Sequence, residues 1–217
     1  QYLEVVAAKL VADLKTVQTA WAPNADNHRA EFVSSTNEVA KVTKIVEAMG
    51  TMVFGELAGE RIKVAYSGNS QEDEHSCFSD NTHRDIWLNA EGVSNLYFGD
   101  YAGYDSTLNG EDDVTTNSVK GYGFDDYLND KGLTTLNTNI TTAINDTKDN
   151  YTAIDTLARA GQPFDVLIMD DNRDDSSAVN KTIEALKKQS NAFIVMVDEL
   201  GLDSIADSVN TSTEAHD

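Results

Sequence analysis

The sequence predicts an all-α, up-and-down four-helix-bundle-like domain, and three observations carry the prediction. Apolar residues recur at steps of three and four along most of the chain. Proline occurs only at Pro23 and Pro163, both beside expected helix ends. No segment keeps the alternation of a strand: Val166–Met169 is too short, and Ala192–Val197 lies inside a helical stripe.

Leu3, Val6, Leu10, Leu14, Val17 and Trp21 share one helical face, and Ala22-Pro23-Asn24 ends that first helix. Phe32, Val39, Val42, Val46, Met49, Val53, Leu57 and Val64 predict one long second helix over 28–66. It carries Gly50, Gly55 and Gly59, each costing about 1 kcal/mol relative to alanine, so close packing against a neighbour is expected there. Residues 67–84 lack periodicity and read as a long ordered loop. A third helix is expected over Arg84–Tyr101, from Ile86, Trp87, Val93, Leu96 and Tyr97. Residues 99–132, rich in Gly, Asp, Asn and Thr, form the long connection between the third and fourth helices, with a helical turn near Phe124–Leu128.

The two strongest stripes follow. One is Leu133, Leu136, Ile140, Ile144, Thr147, Tyr151, Ile154 and Ala158; the other is Val179, Ile183, Leu186, Ser190, Phe193, Val197 and Leu200. Near-heptad spacing over this length indicates bundle packing. The organisation expected is one domain over 1–205 and a polar tail over 206–217. A chain already helical from Gln1 onward is expected of a piece processed or excised from a longer protein.

Among the 217 residues, 37 are acidic and 16 basic, a net charge of -21. Such a surface repels phosphate backbones and anionic lipid, so no nucleic acid is expected as a partner. It suits cations, basic partners or solubility. No run reaches the 18 apolar residues of a transmembrane segment. Cys77 is the sole cysteine, so no disulfide forms within the chain.

Reactive side chains concentrate in Gln71–Asp85, which holds His75, His83, Cys77 and five carboxylates. Just upstream, Glu56 and Glu60 stand four apart, where like charges cost an isolated helix about 0.2–0.5 kcal/mol unless Arg61 or a cation offsets them. Glu72-x-x-His75 has the spacing of di-iron bundles, but its only echo is Asp80-x-x-His83. A looser carboxylate–imidazole site for iron or zinc, with His75 and Glu60 as metal ligands, is chemically reasonable. His28-x-x-Glu31 reads as helix capping by Asn27. Asp170–Asp175 lacks the glycine and distal glutamate of a calcium loop and reads as an interhelical loop with capping donors for the last helix. Cys77, with no cationic pair beside it, reads as a half-buried thiol rather than a nucleophile.

Gly55-Glu56-Leu57-Ala58-Gly59-Glu60-Arg61 and Glu72-Asp73-Glu74-His75-Ser76-Cys77-Phe78-Ser79-Asp80-Asn81-Thr82-His83, continued by Gly92-Val93-x-Asn95 and Tyr97-x-Gly99-x-Tyr101, resemble the imelysin-like family, in particular its iron-regulated protein A branch. The resemblance is specific over about 50–105. It implies a helical fold of two bundle-like halves, this chain resembling the C-terminal one, a periplasmic or outer-membrane location, and a role in bacterial iron uptake. The family signature Gly-x-His-x-x-Glu is absent; Asp26 stands where the glycine should precede His28. The chain alone is therefore not expected to act as the metallopeptidase that the family was classed as on that signature, and no catalytic residue is assigned. What the resemblance implies is one wall of a ligand or metal site, built from Glu56, Glu60, Arg61, Asp73, His75, Ser76 and Asp80. Its partners would be the missing N-terminal imelysin half or another envelope protein, and iron or an iron complex. Two other readings stay open: half of a metallopeptidase, and a purely structural acidic helical domain whose motif loop clamps the bundle.

Overall fold

The computed structural model describes residues 1–103, 117–169, 172–202, 204, 205 and 209. The chain divides into two compact units, residues 1–42 and 43–217.

In the first unit, helix α1 (Tyr2–Ala20) buries none of its residues, and Leu3, Leu10, Leu14 and Val17 all lie more than half exposed. Its predicted apolar face exists but is not covered within this unit. Asn27 joins α1 to the short α2 (His28–Phe32): its amide donates to Thr19 O and Ala22 O, both at 3.0 Å, while its carbonyl accepts from Ala30 N–H as the N-cap. His28 packs edge-on against Trp21, 5.0 Å between centroids, so the His28-x-x-Glu31 pattern is indeed capping and packing.

The predicted 28–66 helix is broken. After Phe32 the chain leaves helical geometry, Asn37 turns left-handed with φ 58°, and α3 starts afresh at Glu38 (Glu38–Thr51). Ser34-Ser35-Thr36-Asn37 favours local side-chain bonds over helix: Ser34 Oγ donates to Glu31 O, and Lys41 Nζ to Glu31 O and Ser34 O. The apolar spacing continued across the break and disguised it.

In the second unit, α3 runs into π-helical winding over Met52–Lys63 and then α4 (Val64–Gly68). α5 (Thr82–Phe98) starts two residues earlier and ends three earlier than predicted, because Gly99 at φ 65° closes it. Two-residue strands β1 (Asp100–Tyr101) and β2 (Val119–Lys120) pair antiparallel, correcting the expectation of no strand. α6 (Phe124–Asp130) is the predicted helical turn, longer than expected. α7 (Thr134–Arg159), α8 (Phe164–Leu167) and α9 (Ala178–Glu199) complete the order, with Ser177 Oγ capping α9 through Asn180 N–H.

The core is a four-membered ring. The α3–π–α4 rod packs on α5 and α9, and α7 packs on both of these in turn. Tyr97 near the end of α5 donates to Asn137 near the start of α7 at 2.7 Å, and Tyr66 of α4 meets Ser177 at the start of α9 at 3.4 Å. The direction is therefore up, down, up, down. Val46, Val53, Leu57, Ile62, Ile86, Ile140, Ile154, Leu186, Phe193 and Val197 are almost wholly buried inside it.

Gly50 is packed as predicted: a Cβ there would meet Val209 Cγ2 at 2.9 Å. Val209 itself is fully buried and Ile205 nearly so, so the stretch assigned to a polar tail contributes to the core at this point. Residues 104–116 of the long connection, Asp170 and Asp171 of the acidic loop, and 206–208 and 210–217 of the expected tail lie outside the described residues. Among the described residues no helix is long and apolar enough to cross a membrane.

Candidate functional site

The predicted site residues fall on two features of the second unit. The first is the π-helical stretch. Its winding bonds each N–H to the carbonyl five residues back, as Val64 N–H does to Gly59 O. Residues five apart are thereby brought over one another, as residues four apart are in an α-helix. Arg61 consequently reaches Glu56 at 2.9 Å, which is the offset the sequence required for the Glu56–Glu60 pair. Glu60 is exposed.

The second feature is the loop joining α4 to α5, at one end of the bundle. It is no loose tether. Ser76 N–H donates to Thr82 Oγ1 at 3.0 Å, and Ser76 Oγ donates to Asp85 Oδ2. Asn81 holds the other Asp85 oxygen at 3.1 Å. Gln71 reaches across to α8 and donates to Asp165 Oδ2 at 3.2 Å. Asp80 takes left-handed geometry, φ 52°, which turns the chain into α5. Ser76 thus serves as a clamp on α5, while Asp73, His75 and Asp80 are exposed.

The imidazole of His75 and the carboxylate of Glu60, expected to meet, are both exposed, and no hydrogen bond or ion pair between them is seen among the described residues. Among the described residues no group of three or more His, Cys, Asp or Glu side chains could hold a metal ion. The iron or zinc that the sequence suggested therefore has no complete cage in these residues.

Two clusters escaped sequence reasoning. Glu74 is 6% exposed, and its Oε2 has no hydrogen-bond partner among the described residues. Burial first, then Asp165 and Asp80, push its carboxyl up to about 7. Burial and the carboxylates of Glu72, Glu74, Asp165 and Asp80 also push the Cys77 thiol up, in agreement with an unreactive cysteine. The neighbouring cluster ties α5 to α7. Asp155, 9% exposed, accepts from Arg159 Nε at 2.9 Å, lies 3.6 Å from Arg84 Nη1 and 4.0 Å from His83 Nε2. Arg84 stacks over Trp87 at 4.2 Å, and Glu91 farther along α5 receives Tyr151 Oη at 3.1 Å and the Lys148 ammonium. The Asp155–Arg159 spacing was a visible signal; the pairing with α5 is long-range and left none.

The end of the bundle is thus a hydrogen-bonded platform with basic groups gathered round Asp155 inside and acidic and imidazole groups on its outer rim. Comparison with family models matches residues 1–193 to the imelysin family (peptidase M75). No curated protein matches the chain.

Proposed function

Given that the chain belongs to the imelysin family, we propose that it is a cell-envelope protein of bacterial iron uptake and supplies one wall of a ligand site. The observation that carries the reading is the pinned loop. The Ser76–Asp85 and Ser76–Thr82 bonds fix its backbone, so Asp73, His75 and Asp80 are presented to solvent from a rigid base. Carboxylate and imidazole are suitable donors for iron or its complexes. Because these residues make no complete cage, the remaining donors come from a partner surface, in this reading the companion imelysin half or another envelope protein. The apolar face of α1, left uncovered within residues 1–42, supports such a partner, since a long apolar stripe of this kind marks an interaction surface.

Calorimetric titration of ferric and ferrous iron into the intact parent protein tests this. Saturable binding that weakens at least about tenfold in His75→Ala is expected. No binding by the parent, or identical binding by the variant, removes the proposal.

The family's description as a peptidase supports a second reading, half of a metallopeptidase in which Glu60 or His75 assists a metal held elsewhere. Chelator-sensitive cleavage of casein by the parent, lost in Glu60→Gln, would favour it. Cleavage surviving both Glu60→Gln and His75→Ala would exclude this half from the chemistry.

A further inference from the structure

The motif Asn95-x-Tyr97-Phe98-Gly99-Asp100-Tyr101 takes no part in the loop end of the bundle; it lies at the opposite end, where α5 stops. The backbone there is assembled with no slack. Gly99 sits at φ 65°, and a Cβ on it would meet Tyr122 C at 2.7 Å and Gly123 N at 2.8 Å. A Cβ on Gly123 would meet Phe98 C at 2.4 Å and Tyr97 O at 2.5 Å. Gly121 N–H donates to Gly99 O at 2.9 Å, next to the β1–β2 pair. The chain segment 121–123 is thus laid directly on the last turn of α5, where a side chain on Gly99 or Gly123 would obstruct it.

This construction frames an open groove of about 340 Å³, in which Ser94, Asn95, Phe98, Asp100, Tyr101 and Lys120 line the wall together with the aliphatic Ala102 and Val119. The size falls within the range of small-ligand sites. Phe98 and Tyr101 supply aromatic faces, and Tyr101 is 40% exposed. The Asn95 amide offers a donor and an acceptor, and the Ser94 hydroxyl either. Lys120 Nζ holds Asp100 Oδ2 at 2.8 Å, and among the described residues Asp100 Oδ1 receives no hydrogen bond. One positive and one negative charge cancel, and the net charge of -21 opposes an anion.

The geometry points to a neutral saccharide, one or two pyranose rings, as the occupant of this cavity. Aromatic faces pack on the C–H surface of a sugar ring, while a mixed set of donors and acceptors matches hydroxyls, which are both. An apolar ligand would leave the Asn95 amide and the Ser94 hydroxyl beneath it without partners, at a cost for each group so covered. The prebuilt glycine framework means that little ordering is needed on binding.

Saturation-transfer NMR on the full chain tests the assignment, with D-glucose, D-galactose, N-acetyl-D-glucosamine and maltose as probes. Glucose 6-phosphate serves as the charged control. At least one neutral sugar should give saturable transfer to its ring protons. Tyr101→Ala and Asn95→Ala should each weaken it about tenfold, the worth of one aromatic or amide contact, without moving the melting temperature appreciably. Phe78→Ala, which removes a fully exposed aromatic elsewhere, should change nothing. Absence of saturable transfer from every neutral sugar overturns the assignment. So does equal binding by both pocket variants, or a preference for the phosphosugar.

Discussion

Glu74→Gln keeps the shape of a buried side chain and removes its charge, and the consequence for stability can be worked out from the surroundings. Burial, with Asp165 and Asp80 nearby, pushes the Glu74 carboxyl up to about 7 from 4.5, and the Thr82 hydroxyl opposes this only weakly. A folded-state value above the unfolded one means that folding favours the protonated form. Stability is therefore full below about pH 4.5 and is lost as pH rises through 7. The gap between about 7 and 4.5 converts to about 3 kcal/mol, and water at the edge of the loop screens this to about 2. Glutamine carries no such penalty. Urea unfolding of both proteins between pH 4 and pH 8 should give near-equal stability at pH 4 and a variant more stable by about 2 kcal/mol at pH 8. Most of the divergence should appear between pH 5 and 7. Parallel stability curves for the two proteins, or a variant that is weaker at pH 8, would refute the reasoning.

Other substitutions test the packing. Gly50→Ala drives a methyl group against Val209 and should destabilise by about 1–3 kcal/mol in thermal unfolding, with Val209→Ala restoring part of the loss when the two are combined. Asp155→Asn removes the largely buried carboxylate that faces Arg84, Arg159 and His83 and should cost about 1–3 kcal/mol in urea. Ser177→Ala removes the cap of α9 and should cost about 1 kcal/mol, with the first turn of that helix exchanging its amides faster. Cys77, its thiol pushed up by burial and surrounding carboxylates, should alkylate more slowly at pH 8 than free cysteine.

The bundle was legible because its information is periodic. In α7, Ile140, Ile144, Thr147, Tyr151 and Ile154 are buried as their spacing required, and in α9 so are Val179, Leu186, Ser190, Phe193 and Val197. The break at 33–37 was not, since Asn37 abandons the helix through a left-handed turn while the apolar residues on either side keep a compatible phase. Nor was the π-helical winding, whose effect on Glu56 and Arg61 depends on backbone bonding that a side-chain pattern does not encode. At the site, the sequence located the loop and its reactive residues but could not say which faced inward. His75 was the more conspicuous residue and is exposed; its neighbour Glu74 is the one buried. Exposure within a non-periodic loop is decided by hydrogen bonds such as Ser76–Asp85 and Gln71–Asp165, and the latter spans more than ninety residues of chain.

Everything proposed for the loop depends on its being a fixed part of the bundle, and amide exchange at Ser76 measures that directly. Its N–H donates to Thr82 Oγ1 at 3.0 Å, and Thr82 is wholly buried. By NMR-detected hydrogen–deuterium exchange the Ser76 amide should be protected by at least about a hundredfold over an unstructured peptide, and Thr82→Val should abolish most of that protection. Exchange at the unstructured rate in the unmodified protein would mean that His75 and its neighbours have no rigid base, and would contradict the account.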